Sequence, residues 1–180
     1  LYISPIDAYS TLVLMGFDEE AAEVERYVVD SLSFDKDVDV KIFEVNIRIL
    51  GGLLSMYSHC KNPQVLDKAR DFADRMLPAF NTPTGIPRYW VNLQTGESRG
   101  DTVNVAEAAS YTFEMGVLSH YTGDAKYYET GKRATRAVFN RRSDLNLIGE
   151  VIDVSSGDWV STQSHICAGV DSYYEYLLKS

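Results

Sequence analysis

Phe43-Glu44-Val45-Asn46-Ile47-Arg48-Ile49-Leu50-Gly51-Gly52-Leu53-Leu54-Ser55-Met56-Tyr57 is the stretch that decides how this chain folds. Ile47, Ile49, Leu50, Leu53 and Leu54 recur with a helical period, so Val45 to Tyr57 reads as a helix. It is apolar or small around most of its circumference, the pattern of a helix covered on several sides. Its last four residues return as Leu118-Ser119-His120-Tyr121, an offset of 64. Lys68-Ala69 returns as Arg133-Ala134 at 65, and Gly85 returns as Gly149 at 64. The repeating unit is helix, short turn, helix, hairpin. One αα-hairpin cannot bury its apolar face alone, so such units pack side by side. An open solenoid and a closed ring of helix pairs both satisfy that requirement.

Outward from this stretch most of the chain reads as helix. The remaining helical segments are Ile6 to Met15, Asp18 to Leu32, Pro63 to Leu77, Val105 to Tyr121, Ala125 to Phe139 and Ala168 to Leu178. Asp18 to Leu32 opens on acids and Pro63 to Leu77 on proline, both favourable helix starts. Thr82 to Gly96 and Leu147 to Val160 are non-helical. Each carries a β-type run, Tyr89-Trp90-Val91 or Val151-Ile152, then a glycine turn, so each reads as a short hairpin. Val45 to Tyr57 and Val105 to Tyr121 are the inner helices, where Gly51-Gly52 and Ala106 to Ala109 permit close approach. Pro63 to Leu77 and Ala125 to Phe139 have a charged face and form the outer layer. Residues 1–180 are read as one all-α domain with no internal boundary.

Composition excludes several functions. Lys+Arg 17 against Asp+Glu 26 gives a net charge of −9, the wrong sign for a nucleic-acid partner. The basic cluster Lys132-Arg133, Arg136 and Arg141-Arg142 falls at helical spacing and reads as a solvated helix face. No membrane-spanning run and no signal peptide is visible, and the chain begins at Leu1, so both ends look cut. Cys60 and Cys167 fit no metal-ligand spacing and read as two buried free thiols. No Gly-rich phosphate loop and no G-x-S-x-G elbow occurs.

Each inner helix carries one carboxylate near its start: Glu44, Glu107 and Asp171, spaced 63 and 64 apart. An earlier copy contributes Asp7. In-register packing would collect these acids at one end of the bundle. Acids also stand at helix starts merely to complement free N–H groups. The neighbours argue for more: Arg48 lies one turn after Glu44 on the same face, and Tyr173, Tyr174 and Tyr176 crowd the helix that Asp171 opens. Carboxylates clustered beside apolar walls suit glycoside hydrolysis, which needs one protonated and one ionised acid. His165, six residues before Asp171, reads either as a hydrogen-bonded structural residue or as part of the same pocket.

The motifs then become specific. Phe43 to Ser55 resembles the signature of the class I α-mannosidases, glycoside hydrolase family 47. Asp171-Ser172-Tyr173-Tyr174-Glu175-Tyr176-Leu177-Leu178-Lys179, Leu77 to Pro87 and Val91-Asn92-Leu93 resemble it too, and the resemblance covers the whole chain. It implies an (αα)7 barrel, only part of which these residues would form, and an inverting, calcium-dependent hydrolysis of terminal α1,2-linked mannose from oligosaccharides or N-glycans. By this resemblance Glu44 is the general acid, acting through a water, and Asp171 a second essential acid. Arg48 and Glu107 match residues that bind the sugars, and His165 joins them as a substrate-binding candidate only through its place six residues before Asp171. The family's general base lies in an Arg-Pro-Glu motif and its Ca2+ is held by a threonine near the carboxyl end; neither motif occurs here, so both are expected beyond Ser180. The 180 residues alone are then expected to be inactive and poorly soluble. The implied location is the secretory pathway in a eukaryote, or the periplasm or exterior of a bacterium.

The chain also departs from the family. The opening motif Asp-x-Leu-Asp-Thr-Leu reads Asp7-Ala8-Tyr9-Ser10-Thr11-Leu12, with Ser10 in place of the second acid. Gly169 replaces the arginine that governs branch choice in endoplasmic-reticulum enzymes, which implies a roomier pocket. Val103 to Ser110 retains Glu107 and has no cysteines, which favours a processing or bacterial-type enzyme over the degradation-enhancing relatives. The competing readings are a mannosidase-like lectin with little turnover and an αα scaffold in which Glu44 is only a cap.

Overall fold

A computed structural model describes residues 1–180 and shows helical hairpins laid side by side in two layers. The inner layer begins with α1 (Ile3–Leu14). It continues through α3 (Ile42–Val45), a π turn (Asn46–Leu50) and α4 (Gly51–Cys60), then α6 (Val105–Ala109) and α7 (Thr112–Thr122), and ends with α9 (Asp171–Lys179). The outer layer is α2 (Asp18–Asp30), α5 (Pro63–Met76) and α8 (Lys126–Phe139). Outer helices bury one stripe: Val65, Ala69, Phe72, Ala73 and Met76 in α5, and Tyr127, Gly131, Ala134, Thr135 and Val138 in α8. That spacing is one face of an α-helix, and the opposite face carries the charges. Of the basic cluster, Arg133 and Arg141 donate to the Phe80 and Ala137 carbonyls from the rim of an open groove.

The repeats pack in register, as contacts between equivalent residues show. Asn46 Nδ2 reaches the Ser110 carbonyl, 64 residues away, at 3.3 Å. Tyr57 and Tyr121 meet edge to face at 4.9 Å. Close approach is built in where expected: a Cβ at Gly52 would lie 2.7 Å from Ile6 Cγ2 and 2.8 Å from its carbonyl oxygen.

Four features differ from the sequence reading. First, Val45 to Tyr57 is not one regular helix, because a π turn interrupts it at Asn46–Leu50. Such turns occur mostly as single insertions and often at functional sites. Second, Val105 to Tyr121 breaks at Ser110 (φ −99°, ψ 65°) and Tyr111 (φ −131°, ψ −21°). Tertiary contacts hold the break: the Tyr111 ring packs on Phe80 at 5.1 Å, and its hydroxyl donates to the Glu107 carbonyl at 2.5 Å. Third, each hairpin gains a strand from before an inner helix. β1 (Asp39–Lys41) joins β2 (Trp90–Asn92) and β3 (Ser98–Arg99), and β4 (Thr102–Asn104) joins β5 (Val151–Asp153) and β6 (Trp159–Ser161). All pairings are antiparallel, with Val40 opposite Val91 and Val103 opposite Ile152. The extra strands are three residues long, too short to show as a period in the sequence. The thiols also differ: Cys167 is exposed and Cys60 half-buried.

Candidate active site

The added strands fix where the acids stand. β1 ends at Lys41 and Glu44 follows three residues later; β4 ends at Asn104 and Glu107 follows three residues later. Each sheet therefore delivers one carboxylate to the first turn of an inner helix. Asp171 reaches its place differently. The Gly169 carbonyl accepts from the Ala106 N–H at 2.8 Å, which hooks the approach to α9 onto the start of α6. Gly169 has φ +94°, a conformation that strains any residue with a Cβ. The glycine is thus required by this backbone, and an arginine there would need a different loop path.

Glu44 and Asp7 share one cation. Arg48 Nε donates to Glu44 Oε2 at 2.9 Å, and its Nη1 to Asp7 Oδ2 at 3.1 Å. The three side chains, each nearly half exposed, line an open groove with Ile3, Ser4, Ala8 and Thr11. At that exposure each ion pair contributes only about 0–1 kcal/mol, so its value is geometric. The paired acids raise Arg48 above its ordinary value, Glu44 more than Asp7. Glu44 Oε1 has no partner in the chain and remains open to a ligand.

Glu107 sits deeper. Its carboxyl is pushed above the ordinary 4.5, mainly by burial, against the pull of the Asn104 backbone N–H, Lys41 and Tyr89. Asn104 Oδ1 accepts from the Glu107 N–H at 2.9 Å and so caps the start of α6, while the Asn104 N–H faces the Glu107 carboxyl in return. Lys41 Nζ lies 5.2 Å from the centre of the Tyr89 ring, and Lys41, Phe43, Tyr89 and Tyr111 close around Glu107. Asp171 does bind the helix start, accepting from the Ser172 N–H at 2.9 Å. His165 is held elsewhere: its Nε2 lies 3.5 Å from Glu150 Oε1, and its Nδ1 accepts from the Cys167 N–H at 3.2 Å. Neither partner is on α9.

One acid escaped the sequence reading. Glu114 in α7 is buried and bonded on both oxygens: Asn46 Nδ2 donates to Oε2 at 2.9 Å and the Tyr176 hydroxyl to Oε1 at 2.5 Å. The available signal was a lone acid in the otherwise apolar run Tyr111-Thr112-Phe113-Glu114-Met115.

No group of three or more His, Cys, Asp or Glu side chains gathers closely enough to hold a metal ion. The residues present do not form a calcium site, and no step below is routed through one. No helix is long and apolar enough to cross a membrane.

The sequence profile described as glycosyl hydrolase family 47 matches residues 2–180. The chain is 40% identical to the human ER degradation-enhancing alpha-mannosidase-like protein 2 over 97% of its length and 32% of that protein's. It is 39% identical to the endoplasmic reticulum mannosyl-oligosaccharide 1,2-alpha-mannosidase of Schizosaccharomyces pombe, over 97% of its length and 35% of that protein's. The chain thus spans about a third of the length of the curated relatives it matches. Its fold matches the alpha-1,2-mannosidase from Trichoderma reesei with a TM-score of 0.89 and 29% identity, covering 98% of this chain and 41% of that one.

Proposed function

The chain belongs to glycosyl hydrolase family 47, and from that premise we propose that the full-length protein hydrolyses terminal α1,2-linked mannose from oligosaccharides or N-glycans. The observation that supports this most is the Asp7–Arg48–Glu44 cluster lining a groove at the same end of the inner helices as Glu107. An inverting hydrolysis needs one carboxyl to protonate the leaving oxygen and another to activate water on the opposite face, roughly 6.5–9.5 Å away. Glu44 supplies the proton, passing it through a water held at its free Oε1; Arg48 fixes the other oxygen and so the rotamer. Asp171 is the second acid of the site. Glu107, the half-buried carboxyl whose proton is held more tightly, bonds a sugar hydroxyl. Lys41 and Tyr89 beside it complete a polar wall.

The inner and outer hairpins here are part of an (αα)7 ring in this reading, and turnover belongs to the closed ring. Calcium is carried as a requirement of the reaction, with its ligand outside these residues. The relatives' names place them in the endoplasmic reticulum, so a eukaryotic protein of this kind belongs to the secretory pathway. The test is release of mannose from α1,2-mannobiose by the full-length protein, which a chelator should abolish and added Ca2+ restore. Hydrolysis unaffected by chelation would remove the metal from the reading. A second reading, a lectin of high-mannose glycans with little turnover, draws on the 40% identity to a degradation-enhancing mannosidase-like protein. Glycan binding without mannose release would favour it.

A further inference from the structure

The helices that carry Glu44, Glu107 and Asp171 are tied together by a polar collar that none of those acids belongs to. Asn46 is two residues past Glu44, and its Nδ2 donates both to Glu114 Oε2 at 2.9 Å and to the Ser110 carbonyl at 3.3 Å. That carbonyl comes from the break between α6 and α7, where the chain leaves the helical path. The Ser110 hydroxyl meets the Ser172 hydroxyl at 2.9 Å, one residue past Asp171. Glu114 Oε1 takes the Tyr176 hydroxyl from the same helix, α9, at 2.5 Å. Asn46 and Ser110 are fully buried, and Glu114 and Tyr176 nearly so. Buried carboxyls with paired oxygens are costly to disturb, because losing one partner strands the other.

We infer that Glu114 is a positioning residue: it clamps the π turn behind Glu44 to the helix behind Asp171 and so sets the spacing of the two acids. The inference rests on the function proposed above. The π turn gives it a mechanical basis. Asn46–Leu50 lies between Glu44 and the straight part of α4, so its register decides where Glu44 and Arg48 stand relative to the rest of the helix. A regular turn in its place would shift Asn46 away from Glu114. Across the collar, Ser172 and Tyr176 lie on one helix four residues apart and hold α9 at two points. Glu114 touches no open groove from the Glu44 side; it borders the gap between α4 and α7 formed by Gly51, Leu54 and Phe113.

The test uses the full-length protein with α1,2-mannobiose, at a temperature where circular dichroism shows each variant folded. Tyr176→Phe removes one hydroxyl and Glu114→Gln replaces one acceptor by a donor. Each should lower kcat at least about tenfold with KM within about twofold, since small misplacements of reacting groups are expensive. The double variant should lose little more than either single one, because both break the same clamp. A merely structural role would lower the melting temperature and leave kcat per folded molecule at the wild-type value; that result overturns the inference. If Glu114→Gln fails to fold, Tyr176→Phe decides alone. Wild-type protein that releases no mannose would defeat the proposed function and this inference with it, whereas active wild-type protein with fully active variants would defeat the inference only.

Discussion

At the scale of single residues, the acids in this chain differ by what surrounds them. Glu44 is half exposed and held by Arg48; Glu107 is half buried with its N–H capped by Asn104; Glu114 is buried and bonded twice. Burial pushes Glu114 above its ordinary 4.5, with Tyr176, its own backbone, Asn46 and Lys179 opposing. A carboxyl raised in the folded state stabilises fully below its unfolded value, and that contribution is lost as pH rises through the folded one. Glu114→Gln should therefore narrow the fall in melting temperature of the full-length protein on going from about pH 4 to about pH 7. An unchanged pH dependence would mean that Glu114 is not titrating in a dry site. At this scale Glu44, Arg48 and Asp7 were legible in the sequence, because repeat position and helical spacing place them together. For His165 the sequence leaves a hydrogen-bonded structural role and a place in the pocket both open, and its contacts, Glu150 just before β5 and the Cys167 N–H, are of the first kind.

Among the elements, the helix periods were readable and the interruptions were not. An apolar stripe announces a helix but says nothing about an inserted residue, so the π turn at Asn46–Leu50 left no trace in the pattern. The break at Ser110 and Tyr111 arises from contacts with Phe80 and the outer helix; a Cβ on Gly131 would lie 3.0 Å from the Thr112 Cα. β1 and β4 form because β2 and β5 offer edges to pair with, an interaction between residues some fifty apart in sequence. The glycines that permit close helix approach were legible, and they carry a prediction. Gly52→Ala places a methyl against Ile6 Cγ2 and its backbone carbonyl, so α1 or α4 must move. Denaturant unfolding should show a loss of about 1–3 kcal/mol. Gly16→Ala offers the contrast: its φ is +77° but nothing lies within 4 Å of the added methyl, so only the backbone conformation costs, about 1 kcal/mol. Equal losses at the two sites would contradict the packing of α4 on α1.

On the scale of the whole molecule, an inner layer of four helical runs under three outer helices leaves apolar side chains in contact with solvent. Phe113 is 44% exposed, Leu14 80% and Leu178 89%, and Leu177 lies beside Leu178 on the last inner helix. Leu14 is on the first inner helix and Leu177 and Leu178 are on the last, the two ends of the row where a further helix pair would pack. Residues 1–180 expressed alone should accordingly bind a hydrophobic dye, self-associate in sedimentation and release no mannose. A monodisperse, active 180-residue protein would contradict the need for a larger ring. Ring closure itself was beyond the reach of the repeat, since an offset of 64 residues fits a solenoid as well as a toroid; the fold match to an alpha-1,2-mannosidase is consistent with the ring that the proposed function assumes. The acids gathered at one end of the inner helices are proposed to run a glycosidase. Mannose release from α1,2-mannobiose by the full-length protein, compared between wild type and Glu44→Gln, tests it most directly. Wild type should turn over, and kcat should fall at least about a hundredfold in the variant, the scale of lost acid–base assistance. Wild-type turnover retained by Glu44→Gln would contradict it.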